Sequence, residues 1–155
     1  MTLKITRRRL PHWQMEGATY FVSWSLHPEQ TKLEPKERDL IMDALWHFDK
    51  TRYNLIAFVI MDNHIHIIFT PLGEYDVVSV IHSWKSFTAN RLQRKFGRTG
   101  NVWMEEYYDR IIRDEDEFIQ KGEYIIANPL KCWPEISEYK WLWHIGMDGQ
   151  GRPSS

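Results

Sequence analysis

Residues 58–70 read FVIMDNHIHIIFT, an apolar run that contains two histidines two positions apart. Side chains alternate between the faces of a β-strand, so His64 and His66 are expected on one face and Ile65 and Ile67 on the other. Two neutral imidazoles on one face can share a divalent metal when a third oxygen or nitrogen ligand comes from elsewhere. The alternative is that both histidines are half-buried and satisfied by hydrogen bonds. The rest of the chain has to decide between these interpretations.

The composition limits the class of protein. A chain of 155 residues predicts a single domain over residues 1–155 that buries a real core. The single cysteine, Cys132, excludes an intramolecular disulfide and a cysteine-based zinc cluster, and it favours a reducing compartment. The start of the chain has no signal-peptide pattern, and no apolar run approaches about 18 residues. We therefore expect a cytoplasmic protein.

Strand and helix patterns alternate around the histidine strand. Strands are predicted from β-branched and aromatic content, and helices from apolar residues spaced three to four apart. Asp62 and Asn63 suit a two-residue hairpin turn, and Pro129 is expected to end the last helix. The predicted strands cover residues 18–26, 54–61, 64–70 and 102–113, and the predicted helices cover residues 36–53, 76–96 and 114–128.

The order β-α-β-β-α-β-α predicts an α+β fold. A βαββαβ run folds into a four-stranded antiparallel sheet with two helices on one face, the ferredoxin-like split βαββαβ arrangement. An additional C-terminal helix, which carries a tyrosine, is left to pack near the sheet. Residues 1–13 are expected to form a basic arm, and residues 133–155 a docked segment with a frayed tail.

Two basic segments are candidate phosphate contacts. Residues 4–9, KITRRR, have no helix or strand pattern of their own. The helix predicted over residues 76–96 carries a basic stripe that continues just past its end. Such a stripe can bind a phosphodiester backbone even at a net charge of −1, because the local field matters more than the total charge. A solvated surface is the alternative for both segments. The basic residues are Arg7, Arg8 and Arg9 in the arm, and Lys85, Arg91, Arg94, Lys95 and Arg98 in the stripe.

The last predicted helix has two distinct faces when residues are placed at about 100° intervals. Gln120, Tyr124 and Asn128 fall together, opposite the apolar stripe. Tyr124 is therefore a candidate for chemistry, because a phenol is an oxygen nucleophile once deprotonated. With a metal held by two histidines and one amide oxygen, a phosphate would be polarised for attack by Tyr124. The resulting phosphotyrosine would conserve the energy of the phosphodiester bond.

The ordered segments resemble the single-tyrosine HUH transposases, and in particular the REP-associated tyrosine transposases, where REP denotes repetitive extragenic palindromes. The resembling segments are RRRLPHW, GATYFV, FVIMDNHIHIIF, WKSFTANRL, YDRIIRDEDEF and YIIANPLK, which together span roughly residues 7–131. The resemblance implies that His64 and His66 are metal ligands and that Tyr124 is the nucleophile. Asn128 matches the position where related enzymes hold a Gln or Asn as third ligand.

The resemblance also implies the reaction and the partners. The expected metal is Mg²⁺ or Mn²⁺, and the expected product is a 5′-phosphotyrosine bond to single-stranded DNA with a free 3′-hydroxyl. The expected substrates are hairpin-forming repetitive extragenic palindromes. The protein is expected to be associated with the nucleoid when it binds DNA, and no membrane partner is expected. A monomer is favoured, and a homodimer remains open. Trp13, Trp84 and Trp103 are candidates for stacking unpaired bases.

Two other classes of function remain open from the residues. One is a metal-dependent phosphodiesterase in which the histidine pair activates water and Tyr124 only orients the phosphate. The other is a non-catalytic module that binds single-stranded nucleic acid and whose histidines are satisfied structurally.

Overall fold

The computed structural model describes residues 17–147 as a five-stranded antiparallel sheet with three helices. The strand order is β4-β1-β3-β2-β5, and its first four strands have the order of a ferredoxin-like split βαββαβ sheet. The predicted fold class is therefore confirmed. The strands are β1 (Tyr20–Leu26), β2 (Tyr53–Ile60), β3 (His64–Pro71), β4 (Trp103–Ile111) and β5 (Leu142–His144), and the helices are α1 (Pro35–His47), α2 (Val77–Phe96) and α3 (Glu115–Cys132).

Some predictions fall on residues outside 17–147. They concern the basic arm with Arg7, Arg8 and Arg9, the stacking role of Trp13, and the tail after Met147.

The two faces of the sheet are covered by different helices. Val22 and Trp24 of β1 pack with α1 and α2 in one core, whereas Phe21 packs with α3 in the other. The same alternation in β3 places Ile65 on the α1–α2 side. The histidines between the apolar residues of β3 therefore lie on the face that α3 covers.

His64, the first of the two histidines, directly follows the turn between β2 and β3. The Met61 N–H donates to the His64 carbonyl at 2.8 Å, which closes the turn over Asp62 and Asn63. The predicted two-residue turn is confirmed. The register of β3 against β1 then sets His64 opposite Ser25, and the other histidine two positions further along.

The first helix ends earlier than predicted, at His47 instead of Tyr53. The chain turns over residues 48–52, where Lys50 has φ +74. Tyr53 begins β2, with its ring 2% exposed and its hydroxyl donating to the Leu45 carbonyl at 2.6 Å. Burial of this ring in the sheet outweighs the helix propensity of the preceding residues.

The last helix is longer than predicted, because it continues through Pro129 to Cys132. Proline removes one helix N–H and disfavours the helical region for the residue before it. Here Pro129 is buried, and its carbonyl accepts the Trp133 N–H at 2.8 Å, so one more turn closes. That turn carries Lys131 to the candidate site.

The sheet has one strand more than the four that were predicted. β5 pairs with β2, and its Trp143 lies opposite Phe58. Three residues are too few to show the alternation that identifies a strand in a sequence.

Arg98 connects α1, α2 and the loop after β1. Its Nε lies 2.5 Å from Glu37 Oε2 and its Nη2 lies 2.8 Å from Glu37 Oε1. The two side chains are only 7% and 4% exposed. Arg98 also donates to the carbonyls of Thr31 and Lys32. It therefore belongs to the scaffold and not to the exposed basic stripe where the sequence placed it.

Replacing Arg98 with Met should lower the free energy of unfolding by about 3 kcal/mol, because the Glu37 carboxylate would stay buried without its partner. Burial raises the pKa of Glu37, but hydrogen bonds from Arg98 and the Glu34 backbone hold it below the ordinary value of 4.5. The stabilisation is therefore complete above pH 4.5 and is lost as the pH falls through the lower pKa of the folded state. Urea unfolding at several pH values measures this, with the exposed Arg94→Met as the matched control. Equal losses in the two variants would contradict the buried-pair interpretation.

Candidate active site

His66 presents one ring nitrogen that is buried and unsatisfied. The side chain is 7% exposed, its ring stacks on Phe21 at 5.6 Å, and its Nδ1 lies 2.5 Å from Ser23 Oγ. Among residues 17–147, none provides a hydrogen-bond partner for its Nε2. With Nδ1 donating to Ser23, Nε2 keeps the lone pair that a metal would bind.

The environment keeps the His66 ring neutral. Burial lowers the pKa of His66 to about 3, and the charges of His64, Lys131 and Lys121 act in the same direction. Neutral imidazole is the form that binds a metal. The ring is therefore prepared as a ligand at any pH near neutrality.

His64 is held between two amide oxygens. Its Nδ1 lies 2.6 Å from Asn63 Oδ1, and its Nε2 lies 3.0 Å from Asn128 Oδ1. An amide oxygen only accepts and a neutral imidazole has one N–H, so the ring can donate to only one of these two oxygens. With Nδ1–H donating to Asn63, a cation between Nε2 and Asn128 Oδ1 would accept electron pairs from both atoms. Neighbouring ligands of an octahedral ion, each at about 2.1 Å, are about 3.0 Å apart, which matches this separation.

The donor set fits a divalent metal. The rings of His64 and His66 have centroids 4.8 Å apart, and Asn128 is 4% exposed on α3 beside them. In the described part of the chain no three His, Cys, Asp or Glu side chains come together, so an amide would have to be the third protein ligand. Two imidazole nitrogens and one amide oxygen suit Mg²⁺, Mn²⁺ or a first-row transition metal.

Tyr124 reaches the histidine pair from α3 of the same chain. Its ring centroid lies 5.1 Å from that of His66, at an interplanar angle of 76°, and 6.1 Å from that of Phe21. The side chain is 42% exposed. The phenol therefore stands beside the candidate metal ligands and remains open to a substrate.

Two lysines make the surroundings of the phenol positive. Lys131 Nζ lies 4.0 Å from the ring centroid of Tyr124, and Lys121 Nζ lies 4.9 Å from that of Phe21. A cation over an aromatic face is held by the ring quadrupole and restricts the ring in return. An anionic phosphate is favoured at this end of the site.

The predicted basic stripe lies on the other side of the sheet. Arg91, Arg94 and Lys95 are exposed on α2, which covers the face opposite to the histidines. Lys85 instead donates to the carbonyls of Met104 and Glu105 at 2.8 and 3.0 Å, and burial lowers its pKa. The DNA-binding role of these four residues remains a prediction, and it would involve a surface separate from the candidate active site.

Two of the tryptophans proposed for base stacking are core residues. Trp84 and Trp103 are 3% and 6% exposed, and their indole N–H groups donate to Tyr53 Oη and Thr88 Oγ1. A base cannot reach their ring faces, so this prediction is wrong for both. Among the described residues, Tyr108 is a second exposed aromatic side chain near the site besides Tyr124; it is 50% exposed and its ring centroid lies 6.2 Å from that of Phe21.

Sequence reasoning missed the residues that support the site. Ser23 lies opposite His66 because of the strand register, and no motif marks it. The sequence predicts Asn63 only as a turn residue. Lys131 lies beyond the residue where the sequence predicts the helix to end, so the helical period does not place it at the site.

Comparison with known proteins assigns the family. The family model described as transposase IS200 like matches residues 36–128, more than half of the chain. The chain belongs to this family and is by that membership an enzyme of the DNA transposase class.

The most informative relative is the REP-associated tyrosine transposase of Escherichia coli strain K12. It is 23% identical over 124 residues, which cover 77% of this chain and 70% of the relative. An uncharacterized protein of Haemophilus influenzae is 28% identical over 104 residues, covering 53% and 57% of the two chains.

A solved structure of a REP-associated tyrosine transposase bound to a REP hairpin has the same fold. It superposes with a TM-score of 0.68 at 22% identity, over 85% of this chain and 79% of that one. The resemblance inferred from the sequence is thus confirmed. None of the helices within residues 17–147 is long and apolar enough to cross a membrane.

Proposed function

We propose that this protein cleaves and rejoins single-stranded DNA beside REP hairpins through a 5′-phosphotyrosine intermediate on Tyr124. His64, His66 and Asn128 would hold the Mg²⁺ or Mn²⁺ ion that the reaction needs. The observation that carries the proposal is the packing of the Tyr124 ring against His66 at 5.1 Å within one chain. The relatives named above support a REP hairpin as the substrate.

The protein side chains prepare the reaction by orientation. Ser23 and Asn63 fix the two imidazole rings by hydrogen bonds to their Nδ1 atoms. Such supporting contacts typically change metal affinity or activity 10- to 100-fold. When bound, the cation supplies Lewis-acid polarisation of the phosphate and neutralises its charge. Lys131 restrains the phenol and places a positive charge beside the phosphate.

The covalent step exchanges one phosphodiester for another. Tyr124 Oη attacks the phosphorus in line with the leaving oxygen, so the Oη–P bond forms as the P–O3′ bond breaks. The proton lost by the phenol is balanced by the proton gained at O3′. The downstream strand then carries the tyrosine on its 5′-phosphate, and the upstream strand ends in a 3′-hydroxyl. Attack by a 3′-hydroxyl reverses the step and joins the strands.

All of these groups come from one chain, which supports action as a monomer. Tyr124 and Asn128 lie four residues apart on α3, and the histidines lie on β3 beneath that helix. No second copy is needed to complete the set.

Adduct formation tests the proposal. A hairpin oligonucleotide with a single-stranded flank, labelled at its 3′ end, should give an SDS-stable labelled adduct with the protein and Mn²⁺. EDTA should remove the adduct, and added Mg²⁺ or Mn²⁺ should restore it. A polymerase should extend the released upstream fragment, because its 3′ end is a hydroxyl. Two free fragments without an adduct would indicate the water-dependent phosphodiesterase, and an adduct that survives EDTA would contradict the metal site.

A further inference from the structure

A cavity of about 270 Å³ opens beside His64. One side is formed by His64 and Asn63, and the other by the end of β1 and the loop that follows it. A larger cavity of about 800 Å³ lies between α2 and β4 and shares His27 as a wall. The two cavities therefore adjoin at His27.

The loop that forms one wall is fixed by the scaffold. Gln30 Nε2 donates to the carbonyls of Thr99 and Asn101 at 2.8 and 3.0 Å, and Gln30 Oε1 accepts from Arg98 at 3.0 Å. The side chain of Gln30 thus already makes three hydrogen bonds within the protein. Both N–H groups of the Gln30 amide donate within the protein, so Gln30 shapes the cavity and does not donate to a ligand.

Three other lining groups can still donate to a ligand. Asn63 uses its oxygen for His64, which leaves its NH₂ group. His27 Nδ1 accepts the Glu29 N–H at 3.2 Å, so the ring carries its proton on Nε2. Ser25 adds a hydroxyl. The wall of the cavity therefore offers three groups that can donate a hydrogen bond to a ligand.

We propose that this cavity receives one unpaired nucleobase next to the cleaved phosphate and selects bases with a carbonyl edge. The inference rests on the proposed function, because it places the nucleotide beside the metal ligand His64. Guanine O6 and thymine O4 are acceptors where adenine and cytosine carry amino groups, so a donor-lined wall favours guanine and thymine. Lys32 also lines the cavity; its side chain is 75% exposed and its Nζ lies 3.7 Å from Asp62 Oδ2, so it can turn to the accompanying phosphate by exchanging this exposed ion pair.

Binding of base-substituted probes tests the inference without cleavage. The full chain with Tyr124→Phe is titrated with a DNA hairpin whose eight-nucleotide flank is entirely thymine, cytosine, hypoxanthine or adenine. Thymine should bind about 5-fold more tightly than cytosine, and hypoxanthine about 5-fold more tightly than adenine, as expected for one hydrogen bond. Ser25→Ala and His27→Phe should each reduce these ratios. The exposed controls Ser137→Ala and His47→Phe should retain them.

Ratios near one in the Tyr124→Phe protein, or ratios unchanged in both cavity variants, would overturn the inference. Failure to bind any of the four probes would overturn it as well. The outcome is separate from that of the adduct test. An unmodified protein that forms no adduct contradicts the proposed function, whereas a uniform binding profile contradicts only the base-selective cavity.

Discussion

The substitution Tyr124→Phe should abolish the SDS-stable adduct and lower cleavage roughly 10⁴-fold or more, because it removes the oxygen proposed as the nucleophile and leaves the ring in place. Phe retains the edge-on contact with His66 and the face beneath Lys131, so folding and hairpin binding should not change. Gel analysis of the labelled adduct and a binding titration measure the two properties. Tyr108→Phe is the matched control, since Tyr108 is also an exposed tyrosine beside Phe21 but is carried by β4 instead of α3.

A mixing experiment decides whether the phenol acts within its own chain. The structure places Tyr124 beside the histidines of the same chain, so Tyr124→Phe mixed with His66→Ala should remain inactive. Recovery of adduct in the mixture would show that a dimer exchanges its helices. The labelled adduct would then contain only the His66→Ala chain, which a size tag on one variant identifies.

The proposed reactive groups could be predicted from the sequence because each follows a local period. His64 and His66 share a face through the two-residue period of a strand, and Tyr124 and Asn128 share one through the helical period. Neither period predicts that the histidine face of β3 and the tyrosine face of α3 contact each other. That depends on α3 crossing the sheet over β3, which the pattern of elements alone does not specify.

Other features could not be predicted because they depend on contacts between distant segments. Ser23 meets His66 through the register of β1 against β3, and Arg98 meets Glu37 through the packing of α2 on α1. The indole ring of Trp84 would suit either a core or a stacking surface, and only the packing decides between them. The continuation of α3 through Pro129 depends likewise on burial.

Loss of the His66 ring should eliminate the adduct at every metal concentration, because it removes a proposed metal ligand that the protein keeps neutral and buried. Without the His66 ring, only the proposed ligands His64 and Asn128 remain for the cation. Two protein ligands do not suffice, because several ligands together set the geometry of an Mg²⁺ or Mn²⁺ site. His66→Ala should therefore give no labelled adduct between micromolar and millimolar Mn²⁺. The exposed His47→Ala is the matched control and should behave like the unmodified protein. Adduct formation by His66→Ala at the normal Mn²⁺ concentration would exclude His66 as a ligand.

A graded variant separates loss of a ligand from loss of folding. Ser23→Ala keeps both imidazole rings but removes the hydrogen bond at His66 Nδ1, which lies 2.5 Å from the Ser23 hydroxyl. The ring would then be held only by its packing on Phe21, His64 and Tyr124, so half-maximal adduct formation should require about 10- to 100-fold more Mn²⁺. Saturating Mn²⁺ should recover the rate, which a damaged fold would not allow. The same metal requirement in Ser23→Ala and in the exposed Ser137→Ala would show that Ser23 does not orient the ligand.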